Sequence, residues 1–345
     1  MRVLIVRLGA LGDIIHAIPA AAALRAAFPD ARVDWLVERK HREIVDLVTV
    51  IDNVVVLERP SLAGWVDISR RLRPVGYDAA IDLQGLLKSA VLARASGARR
   101  VLGFSVWHLR EKSARPFYST TDDGFAAGGA RDGSGTAHVI SKNLRLLRAL
   151  DVHDERITFP LATRHSDAVV RVREAIRRGA PGPDRPFALI NPGAAWPNKR
   201  WAAERFGEIA TFLRDVRGLP SFVLWGPGEE PLAQAVVEAS SGAASVAPRT
   251  GLVDLLELAR AAALMVSGDT GPLHIATAAG TPSVAIFGPT DPVRNGPWSA
   301  ADVTISRFAS CVCHYERRCR GAAWCLDGVS VAEVTAGIQQ RLQSS

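Results

Sequence analysis

Short apolar runs rich in Val, Ile and Leu alternate with helical stretches along most of the chain, and the alternation happens twice. Continuous apolar strands of this kind belong to parallel sheets whose two faces are covered by helical crossovers. In the first half the runs are RVLIV (2–6), RVDWLVE (32–38), NVVVLE (53–58), DAAIDLQ (78–84) and RRVLGF (99–104). A helix is expected from Ile14 to Phe28, kinked or cut short at Pro19, and another in GLLKSAVLARAS. Residues 105–137 break the rhythm, and TTDDGFAAGGARDGSG reads as a mobile surface loop. HVISKNLRLLRALDV resumes as helix, a charged helix follows near 165–178, and GAPGPDRP (179–186) is the strongest linker signal.

The pattern then restarts. FALINPG (187–193), SFVLWGP (221–227), LMVSGD (264–269) and SVAIFGP (283–289) are strands with their exit turns. Helices are expected at Ala202 to Val216, from Glu230, at LVDLLELARAA, at PLHIATAAG and, capped by Ser330, from Val331 to Leu342. The predicted fold is therefore α/β, with two successive Rossmann-like halves and a cleft between them. Ligands of open α/β sheets sit beyond the carboxyl ends of the strands. A chain of 345 residues is long enough for two such domains.

No uninterrupted apolar run reaches the ~18 residues of a membrane span. The opening MRVLIVRLGALGD lacks the form of a signal peptide, so a cytoplasmic location is expected. The 42 Lys+Arg against 35 Asp+Glu leave a net charge of +7, which suits an anionic partner without identifying it. Because arginine so outnumbers lysine, codon usage explains the excess equally well. Four cysteines, Cys311, Cys313, Cys319 and Cys325, fall within fifteen residues. Reduced structural thiols, a labile disulfide and a zinc site are all compatible with that spacing, although C-x-C is not a usual zinc knuckle.

Four strand-end motifs carry chemistry. Gly9-Ala10-Leu11-Gly12-Asp13 follows the first strand, and its G-x-x-G spacing lacks the third glycine of a dinucleotide fingerprint. Asp13 fits either a general base facing the strand ends or the cap of the next helix. His16 lies three residues on, along the same helical face. Ser267-Gly268-Asp269-Thr270-Gly271-Pro272-Leu273-His274 opens a helix, with Pro272 suited to its first turn. The N–H groups of Thr270 and Gly271 and the helix dipole make an anion site suited to a diphosphate, unless Asp269 is a plain cap. In Asn191 to Trp201, Lys199 is placed as a diphosphate counter-ion or, with Arg200, as a solvated surface pair. Glu230, in Trp225-Gly226-Pro227-Gly228-Glu229-Glu230, fits a ribose hydroxyl acceptor or an ordinary first-turn acid.

Together MRVLIVRLGALGDIIHAIP, DAAIDLQGLLKSA, NPGAAWPNKRW, LWGPGEE and SGDTGPLHIATAAGTPSVAIFGPTDP resemble the bacterial ADP-heptose:lipopolysaccharide heptosyltransferases. The matches run from Met1 to about Trp298, and LQGLLKSA favours the type I branch. The resemblance implies a GT-B fold of two facing domains: residues 1–163 for the acceptor and 164–329 for the nucleotide sugar, with helix 330–345 returning to the first. It implies inverting transfer from ADP-L-glycero-β-D-manno-heptose to a Kdo hydroxyl on lipid A. Asp13 matches the catalytic base, and Lys199, Glu230 and the turn Asp269, Thr270, Gly271 and His274 match the donor site. Gly12, His16, Lys88 and Lys142 fall in the acceptor half, where Arg7, Arg99, Arg100 and Arg110 are further basic residues. No obligate metal or cofactor is implied, nucleic acid is not an expected partner, and a lipid acceptor implies transient contact with the inner face of the inner membrane. Type I members carry hydroxyl residues where this chain has Ala194 and Ala195, so another nucleotide sugar or a later core acceptor is also admitted.

Overall fold

A computed structural model describes residues 1–122, 137–179, 185–321 and 323–344. The expected Gly-rich loop falls largely on 123–136, and the core of the expected linker on 180–184, so both lie outside the described residues. The chain forms two compact units, Met1–Thr163 and Arg164–Ser345.

In the first unit the strands are β1 (Arg2–Val6), β2 (Arg32–Glu38), β3 (Asn53–Leu57), β4 (Ala79–Asp82), β5 (Arg100–Phe104) and β6 (Thr120–Asp122). Their order is β3-β2-β1-β4-β5-β6, with every pairing parallel. The second unit holds β7 (Ala188–Asn191), β8 (Ser221–Val223), β9 (Ala244–Val246), β10 (Leu264–Gly268), β11 (Ser283–Phe287) and β12 (Val303–Ser306). Its order, β12-β11-β10-β7-β8-β9, repeats the same topology, again all parallel. Each sheet therefore reverses its winding once, between β1 and β4 and between β7 and β10. Crossovers leaving on opposite faces at such a point part from each other and leave space above the strand ends.

The expected doubly wound α/β architecture is present. Strands β6, β9 and β12 are additions at sheet edges; β9 and β12 are only partly buried and need no continuous apolar run. The helix Leu62–Leu72 is another addition, capped by Ser61 Oγ, which accepts from Gly64 N at 3.3 Å. It buries only Ile68 and Leu72 fully, so its apolar stripe is thin. The first crossover is cut as Pro19 predicts: Leu11–Ile15 ends and Ile18–Ala27 begins with Pro19 in its first turn. Proline has no N–H to offer the carbonyl of Ile15, so one continuous helix is interrupted there.

The units divide after Thr163, at the 163/164 boundary that the resemblance implies and upstream of the Pro/Gly stretch, because the charged helix Asp167–Gly179 is pinned to the second unit. Ser166 Oγ donates to Asp254 at 2.7 Å, and Glu257 accepts from Arg164 N at 2.9 Å. The last helix, Val331–Gln343, packs on the second unit rather than returning to the first. Its buried Val334 and Ile338 join the core around Val284 and Ile286, and Arg341 binds Asp302 at 2.7 Å. Edge strand β12 leaves an apolar face to be covered, and Gly337 lets the helix approach it: a Cβ there would stand 3.1 Å from Val303. Among the described residues no helix is long and apolar enough to cross a membrane.

Candidate active site

Both winding reversals bring two loops together, and Asp13, Lys199 and Asp269 lie there. In the first unit Val6 pairs with Asp82, so the loops leaving β1 and β4 start side by side. Gln84 joins them, its Oε1 accepting from Leu8 N at 2.8 Å. Buried Arg7 joins them again: its guanidinium donates to the Leu83 carbonyl and forms a 2.6 Å ion pair with Asp13. Asp13 keeps about a quarter of its side chain exposed (27%), whereas Arg7 keeps only 6%. Thus a cation shielded from water aims a carboxylate that still reaches solvent. Asp13 sits in the short helix Leu11–Ile15, and Ala10 at its start makes no side-chain cap.

Beneath the β4 loop, Asp82 is fully buried and accepts from Tyr118 Oη (2.7 Å), Ser89 Oγ (2.8 Å), Gln84 N (2.9 Å) and Gly85 N (3.3 Å). Burial pushes its carboxyl above the ordinary range, against the opposing pull of those donors. Gly103 makes room for the Tyr118 ring, since a Cβ there would lie 2.4 Å from it. Sequence reading missed this buttress, whose one signal was an aspartate in an otherwise apolar strand.

In the second unit Ser267 pairs with Asn191, so the loops after β7 and β10 also start together. Asn191 Nδ2 lies 2.9 Å from Thr270 Oγ1, 3.0 Å from Ser267 Oγ and 3.2 Å from the Gly193 carbonyl. Lys199 Nζ meets Asp269 Oδ2 at 2.5 Å and stands 4.6 Å above the Trp196 ring. Asp269 Oδ2 also accepts from Thr290 Oγ1 at 2.6 Å, and Oδ1 lies 3.3 Å from His274 Nε2. Burial alone would raise the Asp269 carboxyl, but His274 and Lys199 outweigh it and hold it far below the carboxylate range. Thr270 rather than Asp269 is the cap residue of the helix Gly271–Ala278, and Pro272 lies in its first turn. The first-turn N–H groups have no intrahelical acceptor by geometry, so the helix start offers donors beside the Lys199 ammonium. Gly268 permits this closeness, since a Cβ would stand 3.0 Å from the Lys199 carbonyl.

The other predicted residues are placed as follows. Gly12 lies beside Asp13 in the same short helix. His16 is buried, its ring 5.2 Å from that of His138, and its carbonyl accepts from Asn143 Nδ2 at 2.9 Å. Lys142, next to Asn143 on Val139–Leu146, is partly exposed. Lys88 Nζ is paired with Glu38 at 3.0 Å, and Lys40 joins the same carboxylate at 3.3 Å. Arg99 and Arg100 lie at the amino end of β5, away from the loops at the carboxyl ends. Glu230 is exposed. The neighbouring Glu229 instead braces the loops, accepting from Gly226 N at 3.1 Å and standing 3.8 Å from Arg200. A pocket lined by Arg25, Asp30, Arg32 and Asp52 lies beside the amino ends of β2 and β3. Its charges neutralise one another locally, Arg25 with Asp52 and Arg32 with Asp34. Among the described residues no group of three or more His, Cys, Asp and Glu is arranged to hold a metal ion.

The model of glycosyltransferase family 9 (heptosyltransferase) matches residues 65–324. Lipopolysaccharide heptosyltransferase 1 of Pseudomonas aeruginosa is 29% identical over 330 residues, covering 92% of this chain and 87% of that protein. A crystal structure of a family 9 glycosyl transferase from Veillonella parvula superposes with a TM-score of 0.78 at 22% identity, covering 100% of this chain and 97% of that one. E. coli heptosyltransferase WaaC with ADP gives a TM-score of 0.75 at 23% identity, covering 99% and 100%. These structures share the α/β GT-B fold class expected from the sequence.

Proposed function

The chain belongs to glycosyltransferase family 9, and on that premise we propose that it transfers L-glycero-D-manno-heptose from ADP-heptose to a Kdo residue of the lipopolysaccharide inner core, with inversion. The observation that carries the reading is the Lys199–Asp269 pair beside the start of Gly271–Ala278, at the winding reversal of the second sheet. A largely buried ammonium and a row of backbone N–H groups suit the diphosphate of a nucleotide sugar. The curated relative from P. aeruginosa, matched over most of both chains, supports heptose and lipopolysaccharide as donor and acceptor class.

In this reading Asp13 removes the proton from the acceptor hydroxyl as its oxygen attacks the anomeric carbon. The bond from that carbon to the β-phosphate oxygen breaks, and ADP leaves with the electron pair. Lys199 and the helix start at Thr270 and Gly271 stabilise the charge on the leaving diphosphate. His274 and Thr290 hold Asp269, which in turn positions Lys199. No obligate metal is part of this reading, in which Lys199 and the helix start face the phosphates; undiminished transfer in excess chelator is the corresponding expectation. Gly12, His16, Lys88 and Lys142 are assigned to the acceptor side, with transient binding at the inner face of the inner membrane.

A second reading keeps the site and changes the sugar or the acceptor. It rests on Ala194 and Ala195: no hydroxyl precedes Lys199, and the Ala194 carbonyl is taken by Arg200 Nε at 2.8 Å. A panel of purified donors separates the two. Turnover of ADP-heptose with a Kdo-bearing acceptor supports the first, and turnover of a UDP- or GDP-sugar with none from ADP-heptose supports the second.

A further inference from the structure

We propose that Cys313 and Cys319 form a redox-active dithiol that closes to an intrachain disulfide by exchange with a low-molecular-weight disulfide of the glutathione type, locking the turn 314–318 against the Lys199 loop. Both are free thiols, with their Sγ atoms 2.9 Å apart. Two thiolates on one tetrahedral zinc, with Zn–S of ~2.3 Å, would stand roughly 3.8 Å apart. The pair is therefore too close for metal ligands and set for a bond between sulfurs. Tyr315 makes the turn that brings them together, with φ of +58°.

That turn is built into the candidate donor site. Tyr315 N donates to the Pro289 carbonyl at 2.8 Å, next to Thr290, which holds Asp269. The Glu316 carbonyl accepts from Asn198 Nδ2 at 2.9 Å, one residue from Lys199. The Arg317 guanidinium lies 5.9 Å from the Trp196 ring centroid, and the same ring carries Lys199 Nζ. A bridge from Cys313 to Cys319 closes the chain around these three contacts.

The chemistry divides between the two thiols. Cys319 is partly exposed and Cys313 buried, so exchange begins at Cys319. On losing its proton, which the contact with Cys313 opposes, Cys319 attacks one sulfur of the external disulfide, and one small thiolate leaves. Cys313 then attacks the Cys319 sulfur of the mixed disulfide, and the second small thiolate leaves. Two protein thiols are oxidised by two electrons, one small disulfide is reduced to two thiols, and the two protons pass to them. The contact with Cys319 and the Arg320 N–H, 3.0 Å from the Cys313 sulfur, lower the Cys313 pKa, favouring the resolving thiolate.

The test equilibrates the full-length chain at graded ratios of reduced to oxidised glutathione, alkylates it, and maps the peptides by mass spectrometry. The expected result is one Cys313–Cys319 cross-linked peptide, loss of two of the four free thiols at a single midpoint, and recovery with dithiothreitol. Cys313→Ser should instead accumulate a glutathione adduct on Cys319. The amides of Trp196, Asn198, Lys199 and Arg200 should exchange more slowly in the oxidised chain. Four alkylatable thiols at every ratio, bridges to Cys311 or Cys325, or stoichiometric zinc or iron protecting the thiols would overturn the assignment. Unchanged exchange at 196–200 would overturn the locking. None of these readouts depends on sugar transfer.

Discussion

Lys199 and Asp269, seventy residues apart in sequence, meet at 2.5 Å with 15% and 4% of their side chains exposed. Removing one member of such a pair leaves the other charge buried, which typically costs ~3–5 kcal/mol. Asp269 retains His274 and Thr290, so the lower end is expected. Lys199→Met and Asp269→Asn should each lower the chemical-unfolding stability of the second unit by about 3 kcal/mol. The double variant should lose clearly less than the sum, because each change removes the other's unpaired charge. ADP should raise the thermal midpoint of the wild type, and that rise should vanish in Lys199→Met. An additive double variant, or an undiminished ADP effect, would remove the pair from the centre of the donor site.

The same carboxylate gives a pH dependence of definite sign. Its folded pKa is held below the ordinary ~4, so the unfolded chain binds more protons as pH falls below ~4. The stabilisation from Asp269 is complete above that value and drains away towards the folded pKa. Asp82 runs the other way: its raised folded pKa means that stability falls as pH rises above ~4. Thermal midpoints followed from pH 3 upward should show a steep acid loss in the wild type. Asp269→Asn should flatten that loss, and Asp82→Asn should steepen the climb above pH ~4. Identical pH profiles for all three proteins would contradict both assignments.

Arg7 tests the other half of the proposed reaction. Asp13→Ala should abolish transfer while leaving ADP affinity nearly intact, since none of the proposed donor residues lies in the first unit. Arg7→Met should leave Asp13 in place but unheld. A hydrogen bond to a charged group is worth ~1.5–3 kcal/mol, so kcat should fall roughly 10- to 100-fold with donor KM little changed. Arg7→Lys should recover part of the loss, because it keeps the charge but not the two-pronged reach to Leu83 and Asp13. Full activity in Asp13→Ala would end the base assignment outright.

The chain announced its fold where burial is symmetrical and hid it where burial is partial. The runs VLIV in β1 and VAIF in β11 are covered on both faces, so their side chains are apolar throughout and their strands stand out. VTIS at β12 is partly exposed along its length, and its cover, the last helix, belongs to the same unit. Nothing in the apolar stripe of that helix says which sheet it meets. At the site, Lys199, Asp269 and Asp13 were legible because glycines and charges interrupt the chain just past strand ends. The groups that brace them and their loops were not. Arg7, Asn191, Thr290 and Tyr118 reach their targets across sheet neighbours or between loops, and pairing order is a property of topology rather than of local pattern.

Glu229 and Glu230 divide what looked like one role. Glu229 packs its carboxylate against Gly193, where a Cβ would lie 2.3 Å from Oε2, and accepts from Gly226 N. It is already committed to holding two loops in register. Glu230, exposed in the first turn of Glu230–Ala239, keeps its carboxylate in solvent, where two ribose hydroxyls can donate to it. Glu230→Ala should therefore weaken ADP binding about 10-fold by calorimetry, the ~1.4 kcal/mol expected for lost hydrogen bonds to a charged acceptor, with an unchanged thermal midpoint. Glu229→Ala should lower the midpoint and weaken ADP binding only as the loop loosens, an effect that added ADP partly reverses. The opposite partition, with Glu230 neutral and Glu229 binding-specific, would transfer the ribose role to Glu229.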